Sequence, residues 1–160
     1  DFPYPPELQQ YKNIIELLCR NNFFGDEKFK IFLYIGDARD YIKQFDIFFD
    51  VVYQDPFSFK KNPLLWSFEY FRDIKKSSKQ DAILTTYSSA TIVRLAMHIN
   101  GYTLYTKKGK DGKGGTFGFF AEQYIEMLEK IDFESKLKDS SIKNPIFDKN
   151  YIEIYKNSLK

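Results

Sequence analysis

Cysteine, histidine and tryptophan are almost missing from this chain. Its 160 residues hold one of each: Cys19, His98 and Trp66. A lone cysteine excludes an intrachain disulfide and a cysteine metal cluster, and a lone histidine excludes a His-based metal site. No apolar run is long enough to cross a bilayer, and no stretch reads as a signal peptide, so the expected location is cytoplasmic. Charge of one sign is lacking as well. The 24 Lys and Arg against 22 Asp and Glu leave a net +2, which suits a nucleic-acid partner without arguing for one. The absence of a Gly-x-Ser-x-Gly elbow removes the α/β-hydrolase nucleophile. The absence of Gly-Lys-[Ser/Thr] at the required spacing removes a P-loop.

What is present is enough apolar material for one domain with a core. Hydrophobic residues make up 43% of the chain and aromatics 19%, with 17 Phe and 12 Tyr. Leu8, Tyr11, Ile14, Ile15 and Leu18 follow helical spacing from about Pro6 to Arg20, and Cys19 beside them is expected in the core. Residues Phe29 to Ile35 read as a strand ended by Gly36-Asp37, with Asp37 placed to cap a helix over Ala38 to Gln44. Asp50 to Gln54 is the second strand, Leu64 to Lys75 a helix capped by Asn62, and Ala82 to Tyr87 the third strand. Ser88 or Ser89 would cap a helix over Ala90 to Ile99, stopped by Asn100-Gly101. Tyr102 to Thr106 and Thr116 to Phe120 look like strands around a glycine- and lysine-rich loop, and a last helix is expected over Tyr151 to Ser158. This alternation predicts a mostly parallel sheet with helices on both faces, its last two strands paired as a hairpin.

Three segments could carry chemistry. Asp37 follows a strand and a glycine, where an acid either meets a ligand or merely caps the next helix. The stretch Gln54-Asp55-Pro56-Phe57-Ser58-Phe59-Lys60-Lys61-Asn62-Pro63-Leu64-Leu65-Trp66 ends an apolar strand in an acid. An α/β sheet binds its ligands at that carboxyl edge. A carboxylate there can hold a reacting amine and accept its proton. Phe57 could stack on a planar base, and Lys60 and Lys61 either meet phosphates or line a solvated loop. Thr85-Thr86-Tyr87-Ser88-Ser89-Ala90 offers hydroxyls that serve a ligand or cap a helix, and Arg94 beyond them fits equally an ion pair on a helix surface.

The wording Asp-Pro-Phe-Ser-x-Lys-Lys-Asn-Pro-x-Leu-Trp resembles the MnmC-like tRNA methyltransferases. The later Thr-x-Ser-Ser-Ala segment before Val93-Arg94 and the glycine-rich loop resemble the same family, and the likeness runs from about Gly36 to Phe120. It implies an α/β, Rossmann-like methyltransferase three-layer sandwich using S-adenosyl-L-methionine. It also implies methyl transfer to the aminomethyl nitrogen of a wobble uridine in tRNA, forming 5-methylaminomethyl-2-thiouridine. On that resemblance Asp55 is catalytic, and Asp37, Ala38, Asp55 and Pro56 meet the cofactor. Phe57, Ser58, Lys60, Lys61, Asn62, Tyr87, Ser88, Lys110 and Lys113 meet the substrate. The arginines usual in the family's loop are replaced by Lys110 and Lys113, which keep the charge and lose the bidentate fork.

The front of that fold has no counterpart here. A glycine-rich segment of the Glu-x-Gly-x-Gly type would hold the methionine part of the cofactor, and the 160 residues contain none. The expectation is an N-terminally truncated, single partial domain over 1–160 that lacks the first two strands, with 121–160 a helical tail. Strand Phe29–Ile35 would then lose its usual neighbour. It would close up against Asp50–Gln54, pair with another copy of the chain, or await a longer natural protein. The rival to an enzyme is a non-catalytic methyltransferase-like remnant that binds RNA or protein.

Overall fold

The computed structural model describes residues 5–44, 48–110 and 113–151. The chain forms two compact units, Asp1–Tyr41 and Ile42–Lys160.

In the first unit a 3-10 turn over Pro6–Tyr11 leads into α1, Lys12–Asn21. Pro6 suits the first position of a helical turn, where its missing N–H costs nothing. Asn22 ends α1 in the left-handed region at φ 56°, its N–H donating to the Leu18 carbonyl at 2.9 Å. Two short strands follow, β1 (Phe23–Gly25) and β2 (Lys30–Phe32), paired antiparallel with Phe24 opposite Ile31. Asp26 shapes the turn between them, its carboxylate accepting the N–H groups of Lys28 and Phe29 at 2.7 and 3.0 Å. The unit closes with α2, Ala38–Tyr41.

Two sequence expectations fail here. The strand expected over Phe29–Ile35 shrinks to Lys30–Phe32 and does have a neighbour, because the Asp26 turn folds it back on Phe23–Gly25. Its pairing partner among the described residues is local. Cys19 is exposed rather than in the core, and no described residue of α1 is buried.

The second unit holds a five-stranded sheet in the order β3-β4-β6-β5-β7. The strands are β3 (Phe49–Tyr53), β4 (Ser78–Thr86), β5 (Thr103–Lys107), β6 (Thr116–Phe119) and β7 (Leu128–Lys130). β3 and β4 are parallel, with Val52 opposite Leu84, while β6 runs antiparallel between β4 and β5. Three strands thus point one way and β6 and β7 the other, giving a mixed sheet. The β5–β6 hairpin is as expected from sequence, Leu104 facing Gly118.

Helices flank the sheet: α3 (Phe68–Lys76), α4 (Thr91–Ile99) and α5 (Phe133–Lys138). The helix expected over Leu64–Lys75 is split. Pro63–Trp66 makes a 3-10 turn without a side-chain bond from Asn62, and Ser67 caps α3 by accepting the Tyr70 N–H at 3.1 Å. The core gathers Trp66, Phe71, Ile74, Leu84, Val93 and Met97, all at most 2% exposed. Ile146 joins them from the tail, where its carbonyl accepts the Phe68 N–H at 2.8 Å. The tail is thus more than helical, carrying β7 on the edge of the sheet. The helix expected over Tyr151–Ser158 lies outside the described residues, apart from Tyr151 itself.

Candidate active site

β3 and β4 deliver their carboxyl ends side by side, Tyr53 opposite Thr85, and the expected site residues follow directly from both. Gln54 is the hinge. Its N–H donates to the Thr85 carbonyl at 2.9 Å, and its buried side-chain amide donates to the Leu65 carbonyl at 2.6 Å. The next residue, Asp55, is exposed, and its carboxylate accepts no hydrogen bond from the described residues. The chain is then caught twice more. The Tyr87 hydroxyl donates to the Pro56 carbonyl at 2.9 Å, and the Trp66 indole N–H donates to the Phe57 carbonyl at 2.8 Å. Ser58 closes a turn by accepting the N–H groups of Lys61 and Asn62 at 2.8 and 2.9 Å.

An acid whose oxygens no described residue engages is thus carried on a loop whose backbone is held on both sides of it. The ring of Phe57 is 73% exposed, with the Lys61 ammonium 5.9 Å from its centroid. Lys60 and Lys61 are exposed. The arrangement can hold and deprotonate a basic group beside an open aromatic face.

The turn after β4 is less open than its sequence implies. Ser88 is buried: its N–H donates to Thr86 Oγ1 at 3.2 Å, and its hydroxyl accepts the Ala90 N–H at 3.4 Å. Its carbonyl accepts the Thr116 hydroxyl at 2.6 Å. Tyr87 is half exposed, its ring set edge-on to Trp66 at 5.9 Å. Arg94 is not on a surface. It is 4% exposed, Nε donating to Thr116 Oγ1 and Nη2 to the Gly115 carbonyl, both at 2.8 Å, and burial pushes its guanidinium below its ordinary value.

Arg94, Thr116 and Gly115 therefore bind the base of the lysine loop to the end of β4. Lys110 and Lys113 are exposed on that loop, the Lys113 N–H donating to the Lys110 carbonyl at 2.8 Å. Gly115 sits at φ 82°, and a Cβ there would meet the Thr86 carbonyl oxygen at 2.7 Å. We expect Gly115→Ala to lower stability by about 1–3 kcal/mol, read from the urea midpoint, because strain and collision act together.

Asp37 and Ala38 belong to the first unit. Asp37 accepts the Arg39 N–H at 2.9 Å, and the Arg39 guanidinium grips both its oxygens at 2.5 to 3.1 Å. The expected cap is present, and the same contacts fix where the carboxylate points. Ala38 opens α2, so its N–H has no acceptor within the helix. Among the described residues no group of three or more His, Cys, Asp or Glu could hold a metal, and no helix is long and apolar enough to cross a membrane.

Sequence reasoning missed Gln54, Gly115 and Thr116, and left Arg94 open between a site role and a surface ion pair. The available signal was the polar Gln54 at the end of an apolar strand, where an unpaired amide would be costly to bury.

The mixed sheet, with an antiparallel strand between two that point the other way and an acid loop on its carboxyl edge, defines a Rossmann-like methyltransferase fold. A family profile described as S-adenosyl-L-methionine-dependent methyltransferase matches residues 7–117, and the chain belongs to that family. Among solved structures it is similar to MnmC2 from Aquifex aeolicus, with TM-score 0.71 and 28% identity over 94% of this chain and 49% of that one. The tRNA 5-methylaminomethyl-2-thiouridine biosynthesis bifunctional protein MnmC of Azoarcus is 40% identical over 81 residues, 51% of this chain and 13% of that protein. The protein of the same name in Campylobacter concisus is 30% identical over 130 residues, 81% and 19% of the two lengths. An uncharacterized protein of Methanocaldococcus jannaschii is 35% identical over 83 residues, 52% and 23%. The chain therefore spans about half of the solved relative and under a quarter of these three.

Proposed function

We propose that this chain is the catalytic-edge part of a tRNA methyltransferase, one that methylates the aminomethyl nitrogen of a wobble uridine in the cytoplasm. The observation that carries the reading is Asp55, an exposed carboxylate without a partner among the described residues, on a hydrogen-bonded loop at the joined ends of β3 and β4. Curated relatives to which the chain is similar are named for the synthesis of 5-methylaminomethyl-2-thiouridine in tRNA. The family profile covers residues 7–117, which include parts of both compact units, and this supports reading them as parts of one methyltransferase domain.

The donor set suits S-adenosyl-L-methionine at its adenine end. The Asp37 carboxylate, aimed by Arg39, can accept from an amino group, and the Ala38 N–H can donate to a neighbouring ring nitrogen. An adenine edge carries that donor and acceptor side by side. When bound, the cofactor supplies an electrophilic methyl on a sulfonium, whose C–S bond electrons leave with sulfur. The chain's own part is to present the acceptor nitrogen with a free lone pair. Asp55 accepts its N–H, holds it in line, and takes the proton released as the N–C bond forms. Phe57 stacks on the base, Tyr87 and Ser88 wall the site, and Pro56 stiffens the acid's loop. Ser58, Lys60, Lys61, Asn62, Lys110 and Lys113 face the RNA, the lysines toward phosphates.

Calorimetric titration of S-adenosyl-L-methionine into the chain, with Asp37→Ala as control, tests the reading. We expect binding that the substitution weakens by at least about tenfold, the equivalent of one charge-assisted hydrogen bond. Absence of binding by a folded chain would favour a remnant that meets RNA without turnover.

A further inference from the structure

We infer that Tyr87 is a positioning residue for the Asp55 carboxylate, acting through the Pro56 carbonyl rather than on the substrate alone. The inference rests on the methyl-transfer reading. Asp55 has no side-chain bond of its own among the described residues, so its place is set by the backbone around it. Before the acid, the Gln54 N–H is tied to Thr85 and its side chain to Leu65. After the acid, Trp66 holds the Phe57 carbonyl, and Lys61 and Asn62 bond back to Ser58.

Leu65, Trp66 and Ser58 all belong to the same loop and its own downstream turn. They stiffen the segment from Gln54 to Trp66 from within. The Tyr87 hydroxyl complements the Thr85 bond on the acid's other side: it too comes from the end of the neighbouring strand, and it reaches the residue immediately after the acid, at 2.9 Å. Its ring is braced edge-on against Trp66, which is fully buried.

Tyr87 itself stands on a fixed base. The preceding Thr86 hydroxyl accepts the Ser88 N–H, and the Ser88 carbonyl accepts the Thr116 hydroxyl. Buried Arg94 holds Thr116 and Gly115 in turn. The loop base that carries Lys110 and Lys113 is thus bonded to the residues on either side of Tyr87 in the β4 turn, and Tyr87's own hydroxyl carries the link on to the acid's loop. A carboxylate that must align a nitrogen for in-line attack is sensitive to small displacement, and about 1 Å can cost a hundredfold in rate.

Tyr87→Phe in the full chain isolates the hydroxyl, since it keeps the ring against Trp66. Two readouts decide. Amide exchange at Gln54 should speed up several-fold while Lys61 and Asn62, held within the loop, stay as they are. Methyl transfer to aminomethylated RNA should fall about tenfold in kcat with KM unchanged. With Asp55→Asn already in place, the same substitution should cost nothing further, because its effect passes through the acid. Unchanged exchange at Gln54 overturns the inference whether or not the chain turns over. A raised KM at constant kcat also overturns it and makes Tyr87 a substrate contact. Wild-type chain that transfers no methyl group, with exchange still loosened by the variant, defeats the methyl-transfer reading and leaves the clamp on the loop standing.

Discussion

Asp55→Asn is expected to reduce methyl transfer by about 10²–10⁴-fold, the range lost when a positioned proton acceptor is removed. The substitution preserves shape and takes away charge and basicity. An asparagine can still accept one hydrogen bond through its carbonyl, so RNA binding should survive nearly intact. It cannot take a proton from the nitrogen as the new N–C bond forms. The fold should not register the change. Asp55 is exposed and bonded to no described side chain, and surface changes of that kind stay within about 0.5 kcal/mol. Single-turnover transfer of a labelled methyl group to aminomethylated RNA, with urea unfolding alongside, separates the two effects. A variant that keeps its rate within about tenfold would remove Asp55 from the chemistry. Equal losses in rate and in stability would make it a structural residue.

The acid loop is legible in the sequence because its physics is local. An apolar strand, an acid, a proline and a helix start make a strand-end loop in any α/β sheet. Trp66 is readable as core for the same reason, as a large apolar residue beside Leu64 and Leu65. What stays hidden depends on residues far apart in the chain. Arg94 looks like a surface cation because helical spacing says nothing about Gly115 and Thr116, which come from a hairpin some twenty residues on and bury it. Gln54 looks like an ordinary strand end because its partner, the Leu65 carbonyl, is freed only when the expected helix becomes a 3-10 turn. Ser67 breaks that helix in a way the apolar pattern of Leu64, Leu65 and Phe68 cannot announce. The apolar neighbours of Cys19 point to a core. Helical spacing finds a face without showing what covers it, and here the residue is exposed. The strand from Phe29 reads too long because a turn built by a single aspartate, Asp26, folds it back.

Trp66→Ala should produce the largest loss of stability, about 3–5 kcal/mol, as expected when a buried tryptophan is emptied to a methyl group. Trp66 is fully buried, with its ring 6.4 Å from Phe71 and 5.9 Å from Tyr87, so the cavity would open between the core and the site. Domain stabilities of about 5–15 kcal/mol make such a loss a large share of the whole. The urea midpoint should be followed by far-ultraviolet circular dichroism, since the variant has no tryptophan to fluoresce. Trp66→Phe supplies the contrast. It refills most of the cavity but leaves the Phe57 carbonyl without its 2.8 Å donor, at a cost of about 1–3 kcal/mol if water does not replace it. The two variants divide what the residue does. If packing alone matters, methyl transfer by Trp66→Phe should follow its modest stability loss and be near wild type under conditions where both are folded. If the indole N–H also fixes the loop that carries Asp55, kcat should fall well below what the folded fraction explains, as it does when a catalytic group is held slightly out of line. We expect the second result. A bond at 2.8 Å to the carbonyl of the second residue after the acid is badly placed to add much to a core, and well placed to hold a carboxylate still.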